Sequence, residues 1–461
     1  MTDLARSLEA IVGPQGLRQG EAVDLLDPGW HPENLLARLY VAPADAGEVA
    51  AVLRLCRETG TAVVPQGGRT GLVGATRTRA PEVVLSSARM ARILRLDPLE
   101  RVAVVEAGVT LEALQQAAAA FGLEPGIDLA ARGTATIGGM VSTNAGGIQA
   151  FRNGVMRHRV LGLEAVLADG TVVDDLTRIV KNATGYDVKQ LFIGAEGTLG
   201  VVTKVAVKLD PLPAAVVTAM FGLPDTATAL GLLNRVLAEG RLNLRAAEGM
   251  WQGFALATAA ANGLSADAMG LTAPVYLILE AGGFEAGPIA AEFERLFESL
   301  CETVPDLAGV IAQSERQRGD IWKLREDTGA IYHLFPAAPS YDVSVPASEI
   351  EAYLARVAAD LKAFDPTLDP FVFGHLGDGN LHIILNRAGA AVPPDVEAEI
   401  DAIVYSDVAA RGGAFSAEHG IGLKRRTALA RFGDAGKRTV MAALKRALDP
   451  DRILNPGKVL E

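Results

Sequence analysis

Three glycine-rich clusters in the first 200 residues place the strongest limit on what this chain can fold into. They begin at Gly67, Gly133 and Gly194, and the first follows directly after a short apolar strand. Because glycine lacks a Cβ atom, consecutive backbone N–H groups in such loops can approach a ligand closely. A single glycine loop is most often an ordinary turn. Three of them in one region indicate an extended ligand lying against the backbone, as a dinucleotide does.

Composition and charge exclude several classes of function. The 461 residues are enough for two or three domains with sizeable cores. A net charge of −12 argues against nucleic acid or an anionic membrane surface as a partner. Two cysteines, Cys56 and Cys301, cannot form a disulfide framework, and the N-terminus does not resemble a signal peptide. We therefore predict a cytoplasmic protein with no integral membrane segment.

Two histidines near the C-terminus flank an Asp-Gly dipeptide at 378–379, which is favoured in two-residue type I′ hairpins. With that dipeptide as the turn, His375 would pair with His382, and their Cβ atoms would lie roughly 5 Å apart. Taken singly, each histidine is an ordinary half-buried strand residue. Their symmetric placement, with Glu418 and His419 downstream, favours a metal site instead. We predict His375, His382 and Glu418 as ligands of a divalent metal, with His419 as general base.

The glycine clusters and the histidine motifs together resemble one group of flavoproteins. The segments that carry this resemblance are Pro65–Gly74, Ala135–Gly139, Gly194–Gly200, Gly374–His382, Glu418–Gly422 and Asn455–Lys458. They are similar to the FAD-linked D-2-hydroxy-acid dehydrogenases of the vanillyl-alcohol oxidase / para-cresol methylhydroxylase (PCMH) superfamily. That family includes D-lactate dehydrogenase, D-2-hydroxyglutarate dehydrogenase and the glycolate oxidase catalytic subunit. The resemblance spans residues 38–461.

The resemblance implies an α+β fold with a two-subdomain PCMH-type FAD-binding domain. A cap domain, whose antiparallel sheet is covered by helices, would follow it. The expected domains are an N-terminal segment at 1–37, the FAD-binding domain at 38–213, the cap or substrate domain at 214–410, and a C-terminal segment at 411–461 that returns to the flavin site.

The resemblance also identifies the residues expected to bind FAD. They are Pro65, Gly67, Gly68, Arg69, Thr70, Gly71, Gly74, Thr136, Ile137, Gly138, Gly139, Ser142, Asn144, Gly146, Gly147, Glu196, Gly197, Gly200, Val201, Val202 and Asn455. Relatives with covalent flavin carry a histidine in the first glycine loop, where this chain has Arg69. Neither cysteine lies in a flavin segment, so we expect FAD to be bound non-covalently.

The expected reaction is oxidation of a D-2-hydroxy acid to the 2-oxo acid. A divalent metal, most simply Zn²⁺ with Mn²⁺ or Fe²⁺ as alternatives, would lower the pKa of the substrate hydroxyl. His419 would take the proton while the hydride passes to flavin N5. Arg325 matches a substrate-binding arginine of the family. Its alternative role is that of a helix-surface arginine paired with a nearby acid.

Two positions bear on which hydroxy acid is oxidised. Relatives that act on D-2-hydroxyglutarate typically carry lysine and asparagine where this chain has Ser340 and Ile384. Ile384 lies two residues beyond His382, so we expect it to line the substrate pocket with Phe373 opposite. An apolar wall is unfavourable for a second carboxylate because an unpaired buried charge is costly. D-lactate, or a related monocarboxylate, is the expected substrate, with D-2-hydroxyglutarate as the alternative.

Two other functional classes stay open at the level of the sequence. A metal-dependent hydrolase could use the same ligands, but it leaves the glycine clusters unexplained. A non-catalytic flavin-binding subunit would have little need of the histidine motifs. The electron acceptor could be a quinone, a cytochrome or an electron-transfer flavoprotein, and a homodimer is possible.

Overall fold

The chain leaves its first folding unit after Leu212 and returns to it at Glu418. The computed structural model describes residues 3–305, 307–387 and 392–460. The first unit comprises Met1–Gly147, Asn153–Leu212 and Glu418–Glu461, and the second comprises Ile148–Arg152 and Pro213–Ala417. The units are described separately below.

The α-helices occur along the whole chain. In chain order they are α1 (Asp3–Gly16), α2 (Glu21–Asp24), α3 (Ala46–Glu58), α4 (Leu111–Ala119), α5 (Ile137–Thr143), α6 (Ala150–Asn153), α7 (Met156–Arg159), α8 (Thr226–Glu239), α9 (Gln252–Ala261), α10 (Ala286–Cys301), α11 (Glu315–Glu326), α12 (Gly329–Leu334), α13 (Ile350–Phe364), α14 (Pro394–Tyr405), α15 (Arg426–Phe432) and α16 (Ala435–Leu448).

The strands form two sets, one in each unit. In the first unit they are β1 (Leu17–Gln19), β2 (Leu39–Val41), β3 (Val63–Gln66), β4 (Val83–Ser86), β5 (Ile93–Asp97), β6 (Val102–Glu106), β7 (Leu123–Glu124), β8 (Val160–Val166), β9 (Val172–Asp175), β10 (Val201–Lys208) and β11 (Asp210–Pro211). In the second unit they are β12 (Ala215–Leu223), β13 (Leu244–Trp251), β14 (Val275–Gly283), β15 (Ala308–Ile311), β16 (Ser340–Ser344), β17 (Pro370–His375) and β18 (Asn380–Leu385).

The first unit contains a four-stranded sheet, β1-β2-β4-β3, and a five-stranded antiparallel sheet, β5-β6-β10-β8-β9. Helix α3 shows how the sequence directs this packing. Asp45 caps its first turn by accepting a hydrogen bond from the Glu48 backbone N–H at 2.9 Å. The i, i+3, i+4, i+7 spacing then buries one face of the helix, comprising Val49, Val52, Leu53 and Cys56.

The second unit is built on one seven-stranded antiparallel sheet with the order β15-β12-β14-β13-β17-β18-β16. Apolar residues of α9, α11 and α12 pack against one face of it, around Met250, Phe373 and Ile384. This antiparallel sheet with helices, together with the mixed four-stranded and the antiparallel five-stranded sheet of the first unit, confirms the predicted α+β fold. Among the described residues, no helix is both long enough and apolar enough to cross a membrane. The cytoplasmic location stays a prediction.

The predicted register of the histidine hairpin was wrong. His375 pairs with Asn380, and Phe373 pairs with His382, so the connection is a four-residue loop over 376–379. A type I′ turn needs positive φ at both central residues, but of the Asp-Gly pair only Gly379 has it, with φ 78°. Leu376 is withdrawn from the strand because it is buried against Gly249 of β13. The two histidines are therefore diagonal neighbours on one face.

Candidate functional site

A cleft in the first unit collects residues from all three glycine-rich regions. The empty space within it, including the part that is open to solvent, is about 600 Å³. Its lining is mostly small or apolar, and comprises Pro65, Gln66, Gly67, Ala75, Thr76, Leu85, Ser87, Ala107, Gly138, Gly139, Ser142, Thr143, Glu196, Gly197, Gly200, Val201, Val202 and Asn455. Eleven of the residues predicted to bind FAD thus line one cleft. Gln66, Ala75, Thr76, Leu85, Ser87, Ala107 and Thr143 were not anticipated, although several of them neighbour predicted residues.

The glycines in these loops allow the loops to pack closely against each other, and this role is at least as important as letting a ligand approach the backbone. A Cβ atom on Gly68 would lie 1.8 Å from the Thr134 carbonyl oxygen, and one on Gly67 would lie 2.2 Å from Thr136 Oγ1. Gly138 is equally confined, because its Cβ would meet that of Ala107 at 2.5 Å. The first and second glycine clusters are therefore in backbone contact.

Several predicted cofactor residues adopt left-handed backbone conformations without being glycine. Arg69, Asn144, Glu196 and Asn455 have φ values of 56°, 55°, 51° and 45°. Such conformations cost free energy and concentrate at functional sites. Asn144 ends α5 in this conformation, and its Oδ1 accepts a hydrogen bond from the Arg157 backbone N–H at 2.9 Å.

The cleft fits the chemistry of FAD. Gln66 Oε1 is buried and has no hydrogen-bond partner among the described residues, whereas its Nε2 donates to the carbonyls of Asn34 and Thr76. A buried polar atom without a partner indicates that a ligand atom completes it. Apolar contacts from Leu85, Val201 and other lining residues suit flat rings beside it.

The other predicted cofactor residues lie outside the lining of this cleft. Ile137 is a core residue with 1% exposure, and Thr136 caps α5 by accepting from the Gly139 N–H at 3.3 Å. Arg69 Nε donates to the Asp27 carbonyl at 2.9 Å. The rest of this set comprises Gly68, Thr70, Gly71, Gly74, Asn144, Gly146 and Gly147.

Glu196 holds the segment that follows His419. Its two carboxylate oxygens accept hydrogen bonds from the backbone N–H groups of Ile421 (2.7 Å) and Gly422 (2.9 Å). Burial raises the pKa of Glu196 to about 7, although these two hydrogen bonds and the charge of Arg425 oppose the rise. The carboxylate of Glu196, a predicted cofactor residue, thus binds backbone groups of the protein itself.

Glu418 and His419 themselves lie in the first unit, and both side chains are partly exposed. His419 Nε2 lies 3.8 Å from Glu418 Oε1, and Glu418 Oε2 accepts from the Gly147 backbone N–H at 3.3 Å. The glycine at position 147 is required by packing, because a Cβ atom there would lie 2.0 Å from the Asp128 carbonyl oxygen. The second glycine cluster therefore helps to orient a predicted metal ligand.

In the second unit, the sheet register places both predicted metal histidines on one face. The His375 and His382 rings are 5.6 Å apart between centroids, at 80° to each other. Glu248 on β13 pairs with His375, and Asp342 on β16 pairs with His382. Both carboxylates are fully buried. Imidazoles with carboxylates behind them are a donor set that suits a divalent metal.

The two histidines differ in how closely their carboxylates approach. His375 Nδ1 lies 2.8 Å from Glu248 Oε1, which is hydrogen-bond distance. His382 Nδ1 lies 4.0 Å from Asp342 Oδ1, and that oxygen accepts a hydrogen bond from Asn380 Nδ2 at 2.8 Å. Asp342, which was not predicted, and His382 belong to a group of side chains that could hold a metal ion, whereas the predicted ligand His375 is not in that group.

Sequence reasoning missed both carboxylates, although a signal for each was present. Asp342 stands beside Ser340, in a segment already considered for substrate choice. Glu248 is the one acidic residue of strand β13, whose other residues are uncharged except Arg245. Because a buried carboxylate needs a partner, an acid in such a strand marks a buried contact.

Arg325 is a buried arginine, not a surface one, and its side chain is 6% exposed. Its Nη2 lies 2.6 Å from Glu248 Oε2, and its guanidinium carbon lies 4.9 Å from the centre of the Phe373 ring. Arg325 Nε is buried without a hydrogen-bond partner among the described residues. The arginine is therefore held from two sides and keeps an unused donor.

Phe373 and Ile384, the predicted pocket wall, belong to the buried core around His382. They are 4% and 3% exposed. The Phe373 ring stacks on Phe254 at 4.2 Å and lies 4.9 Å from the His382 ring. Ile384 pairs with Phe371 on one side and Ser340 on the other. The strand partners of His382 are thus the apolar Phe373 and the acidic Asp342, and the His375 ring lies on the same face.

Comparisons with known proteins agree with this architecture. Residues 37–194 match the FAD binding domain family, and residues 212–459 match the C-terminal domain family of FAD linked oxidases. Mitochondrial D-2-hydroxyglutarate dehydrogenase of Bos taurus is 37% identical over 461 residues, covering 99% of this chain and 83% of the relative. The D-2-hydroxyglutarate dehydrogenase of Xanthomonas citri pv. viticola is 38% identical over 440 residues, covering 94% and 90%. The structure of p-cresol methylhydroxylase with substrate bound has a TM-score of 0.74 at 17% identity, covering 99% of this chain and 96% of that chain, which shows a shared fold.

Proposed function

The chain belongs to the FAD-linked D-2-hydroxy-acid dehydrogenases of the vanillyl-alcohol oxidase / para-cresol methylhydroxylase superfamily, and on that premise we propose that it oxidises D-lactate or a related D-2-hydroxy monocarboxylate. The products are pyruvate or the corresponding 2-oxo acid. The electrons then leave for an external acceptor such as a quinone, a cytochrome or an electron-transfer flavoprotein.

The observation that carries this choice of substrate is the charge and polarity around His382. The residues that pair with His382 and Ile384 across the sheet are Phe373, Asp342, Phe371 and Ser340, and none of them is cationic. Arg325 is already paired with Glu248, and its spare donor suits one carboxylate. A second carboxylate placed among these paired residues would have no cationic partner there, and an unpaired buried charge is costly.

Each residue has a proposed role in the reaction. Arg325 binds the substrate carboxylate, and Phe373 and Ile384 contact the substrate side chain. His375, His382 and Glu418 hold a divalent metal, and Asp342 is a further candidate ligand. His419 removes the proton of the substrate hydroxyl through an imidazole nitrogen. When bound, FAD supplies the electron-accepting ring and the metal supplies Lewis acidity at the hydroxyl.

Residues of the first unit are proposed to hold FAD without a covalent bond. Backbone and small side chains along its length come from the cleft residues Pro65, Gln66, Gly67, Gly138, Gly139, Ser142, Glu196, Gly197, Gly200, Val201 and Val202. Asn455 secures the wall of the same cleft, because its Nδ2 donates to the carbonyls of Ala75 (3.0 Å) and Glu196 (2.8 Å).

D-2-hydroxyglutarate is the second candidate substrate. The observation that favours it is the name shared by relatives that are 34–38% identical over nearly the whole chain. The lysine and asparagine typical of enzymes that use this substrate are replaced here by Ser340 and Ile384. For that reason we rank it below the monocarboxylates.

An anaerobic spectroscopic titration tests the proposal. The purified protein should show flavin absorbance at about 450 nm, and this absorbance should bleach when D-lactate or D-2-hydroxybutyrate is added. With a dye acceptor, kcat/KM for these acids should exceed that for D-2-hydroxyglutarate at least tenfold, about 1.4 kcal/mol.

L-lactate serves as the control and should leave the spectrum unchanged. A protein without flavin, or flavin that no hydroxy acid bleaches, contradicts the dehydrogenase assignment. A preference for D-2-hydroxyglutarate contradicts only the choice of substrate, and it would show that the apolar wall does not exclude a second carboxylate.

A further inference from the structure

Glu248 is a fully buried carboxylate with two partners of different proposed function. Its Oε1 lies 2.8 Å from Nδ1 of the metal histidine His375, and its Oε2 lies 2.6 Å from Nη2 of the substrate arginine Arg325. The carboxylate therefore joins the two proposed functional groups by direct contact.

We propose that Glu248 is a positioning residue that couples the metal site to the substrate-binding arginine, so that a change at one of the two partners is felt by the other. This inference rests on the proposed function, because it takes His375 as a metal ligand and Arg325 as the carboxylate-binding residue.

On the histidine side, Glu248 determines which ring nitrogen can bind a metal. Glu248 Oε1 lies at hydrogen-bond distance from His375 Nδ1, and with this carboxylate oxygen as the acceptor the ring proton is on Nδ1. The ligand role then falls to Nε2, and the carboxylate makes that nitrogen a stronger donor to the metal. The contact is built into the backbone, because Glu248 and His375 are directly paired residues of adjacent strands.

On the arginine side, Glu248 fixes the guanidinium without using all of its donors. The Phe373 ring supports the guanidinium from another direction, with 4.9 Å between the guanidinium carbon and the ring centre. Arg325 Nε is buried and lacks a hydrogen-bond partner among the described residues. A donor fixed in position in this way is preorganised for a carboxylate ligand.

A purely structural ion pair is the alternative, and the chain offers a matched control for it. Glu280 on the neighbouring strand β14 is also buried, with 4% exposure. Its Oε2 accepts hydrogen bonds from Arg318 Nε at 3.0 Å and Trp322 Nε1 at 2.8 Å. Glu280 thus resembles Glu248 in burial and in pairing with an arginine, but its hydrogen-bond partners are Thr218, Arg318 and Trp322.

The experiment compares Glu248→Gln with Glu280→Gln in the full-length flavin-loaded protein. Glutamine has a single acceptor oxygen, so it can satisfy His375 or Arg325 but not both. In Glu248→Gln we expect the Kd for Mn²⁺ or Zn²⁺, measured by calorimetry without substrate, to rise about 10- to 100-fold. KM for the hydroxy acid should rise as well. Glu280→Gln should lose stability but keep the metal affinity of the wild type.

Substituting the arginine tests the coupling without removing the carboxylate. Arg325→Met takes away the cation that competes for Glu248, so His375 should become a better ligand. Metal should then bind at least about threefold more tightly, although Arg325 itself has no place in the ligand set. This variant also serves if Glu248→Gln does not fold.

The possible outcomes distinguish failure of the Glu248 coupling from failure of the proposed function on which it rests. A folded Glu248→Gln protein with unchanged metal Kd and unchanged KM overturns the coupling, and so does Arg325→Met with unchanged metal Kd. A wild-type protein that binds no divalent metal overturns the metal part of the proposed function, and the coupling with it. Wild-type flavin that no D-2-hydroxy acid bleaches contradicts the proposed oxidation, whatever the metal titrations give.

Discussion

The glycine cleft of the first unit and the histidine face of the second unit are built on opposite principles. In the cleft, backbone conformation and the absence of side chains make the site, as at Gly67 and Gly138, where a Cβ atom would overlap a neighbour. On the histidine face, side chains from four strands meet because the sheet register aligns Glu248, His375, His382 and Asp342. The cleft should therefore be sensitive to added atoms, and the histidine face to removed or neutralised groups.

Removing a metal histidine should have the largest effect on activity and little effect on the cleft. In His382→Ala, loss of a proposed ligand should lower kcat/KM by at least about 10³-fold, roughly 4 kcal/mol. FAD content, read from the ratio of flavin to protein absorbance, should stay at the wild-type level, because the glycine cleft lies in the other unit.

The comparison breaks if His382→Ala loses its flavin, since the two regions would then not be independent. It also breaks if kcat/KM stays within about tenfold of wild type, because His382 would then be an ordinary core residue.

Adding one methyl group to the loop that carries the cleft residues Pro65, Gln66 and Gly67 should have the opposite effect, because it should lower the FAD content. In Gly68→Ala, the new Cβ would lie 1.8 Å from the Thr134 carbonyl oxygen, a backbone atom that cannot move cheaply. We expect a loss of about 3 kcal/mol in the free energy of unfolding and a protein purified with little FAD. Thermal unfolding and flavin content measure both effects.

Gly71→Ala is the matched control, because a Cβ atom at this position meets nothing within 4 Å and the backbone has no positive φ. It should keep wild-type stability. Equal losses in Gly68→Ala and Gly71→Ala would point to general loop flexibility, in place of close packing, as the reason for glycine.

The smallest expected effect is a pH dependence of stability that arises from Glu196, whose side chain binds backbone N–H groups in the first unit. The pKa of Glu196 is raised from 4.5 to about 7, with burial as the main cause. Between these values the folded protein keeps a proton that the unfolded chain has released, so the contribution of Glu196 to stability falls as the pH rises through this window. The fall is at most about 3 kcal/mol.

Glu196→Gln removes this titration. Urea unfolding from pH 4.5 to above 7 should therefore show a shallower decline in the variant than in the wild type. Parallel curves for the two proteins would mean that Glu196 is ionised throughout this range and is held by Ile421 and Gly422 alone.

The sequence by itself determined the flavoprotein family, the α+β class and the candidate residues of both regions. The family, the α+β class and the FAD-binding residues followed from the resemblance that the motifs carry, whereas the spacing of apolar residues, which acts over a few positions, indicated buried faces. Helix α3 is an example, since its buried face follows from the spacing of Val49, Val52, Leu53 and Cys56. The alternation of strand residues likewise placed His375 and His382 on one face.

Only the tertiary structure decided the pairing of strands that are distant in the sequence. Leu376 shifted the hairpin register because it is buried against Gly249, a contact that no pattern within the hairpin contains. Glu248 meets His375 across 127 positions of the chain, and Glu196 meets Ile421 across 225. A period of two residues fixes the face on which a side chain lies, but its partner depends on which strand packs alongside, and that choice is made by burial over the whole sheet.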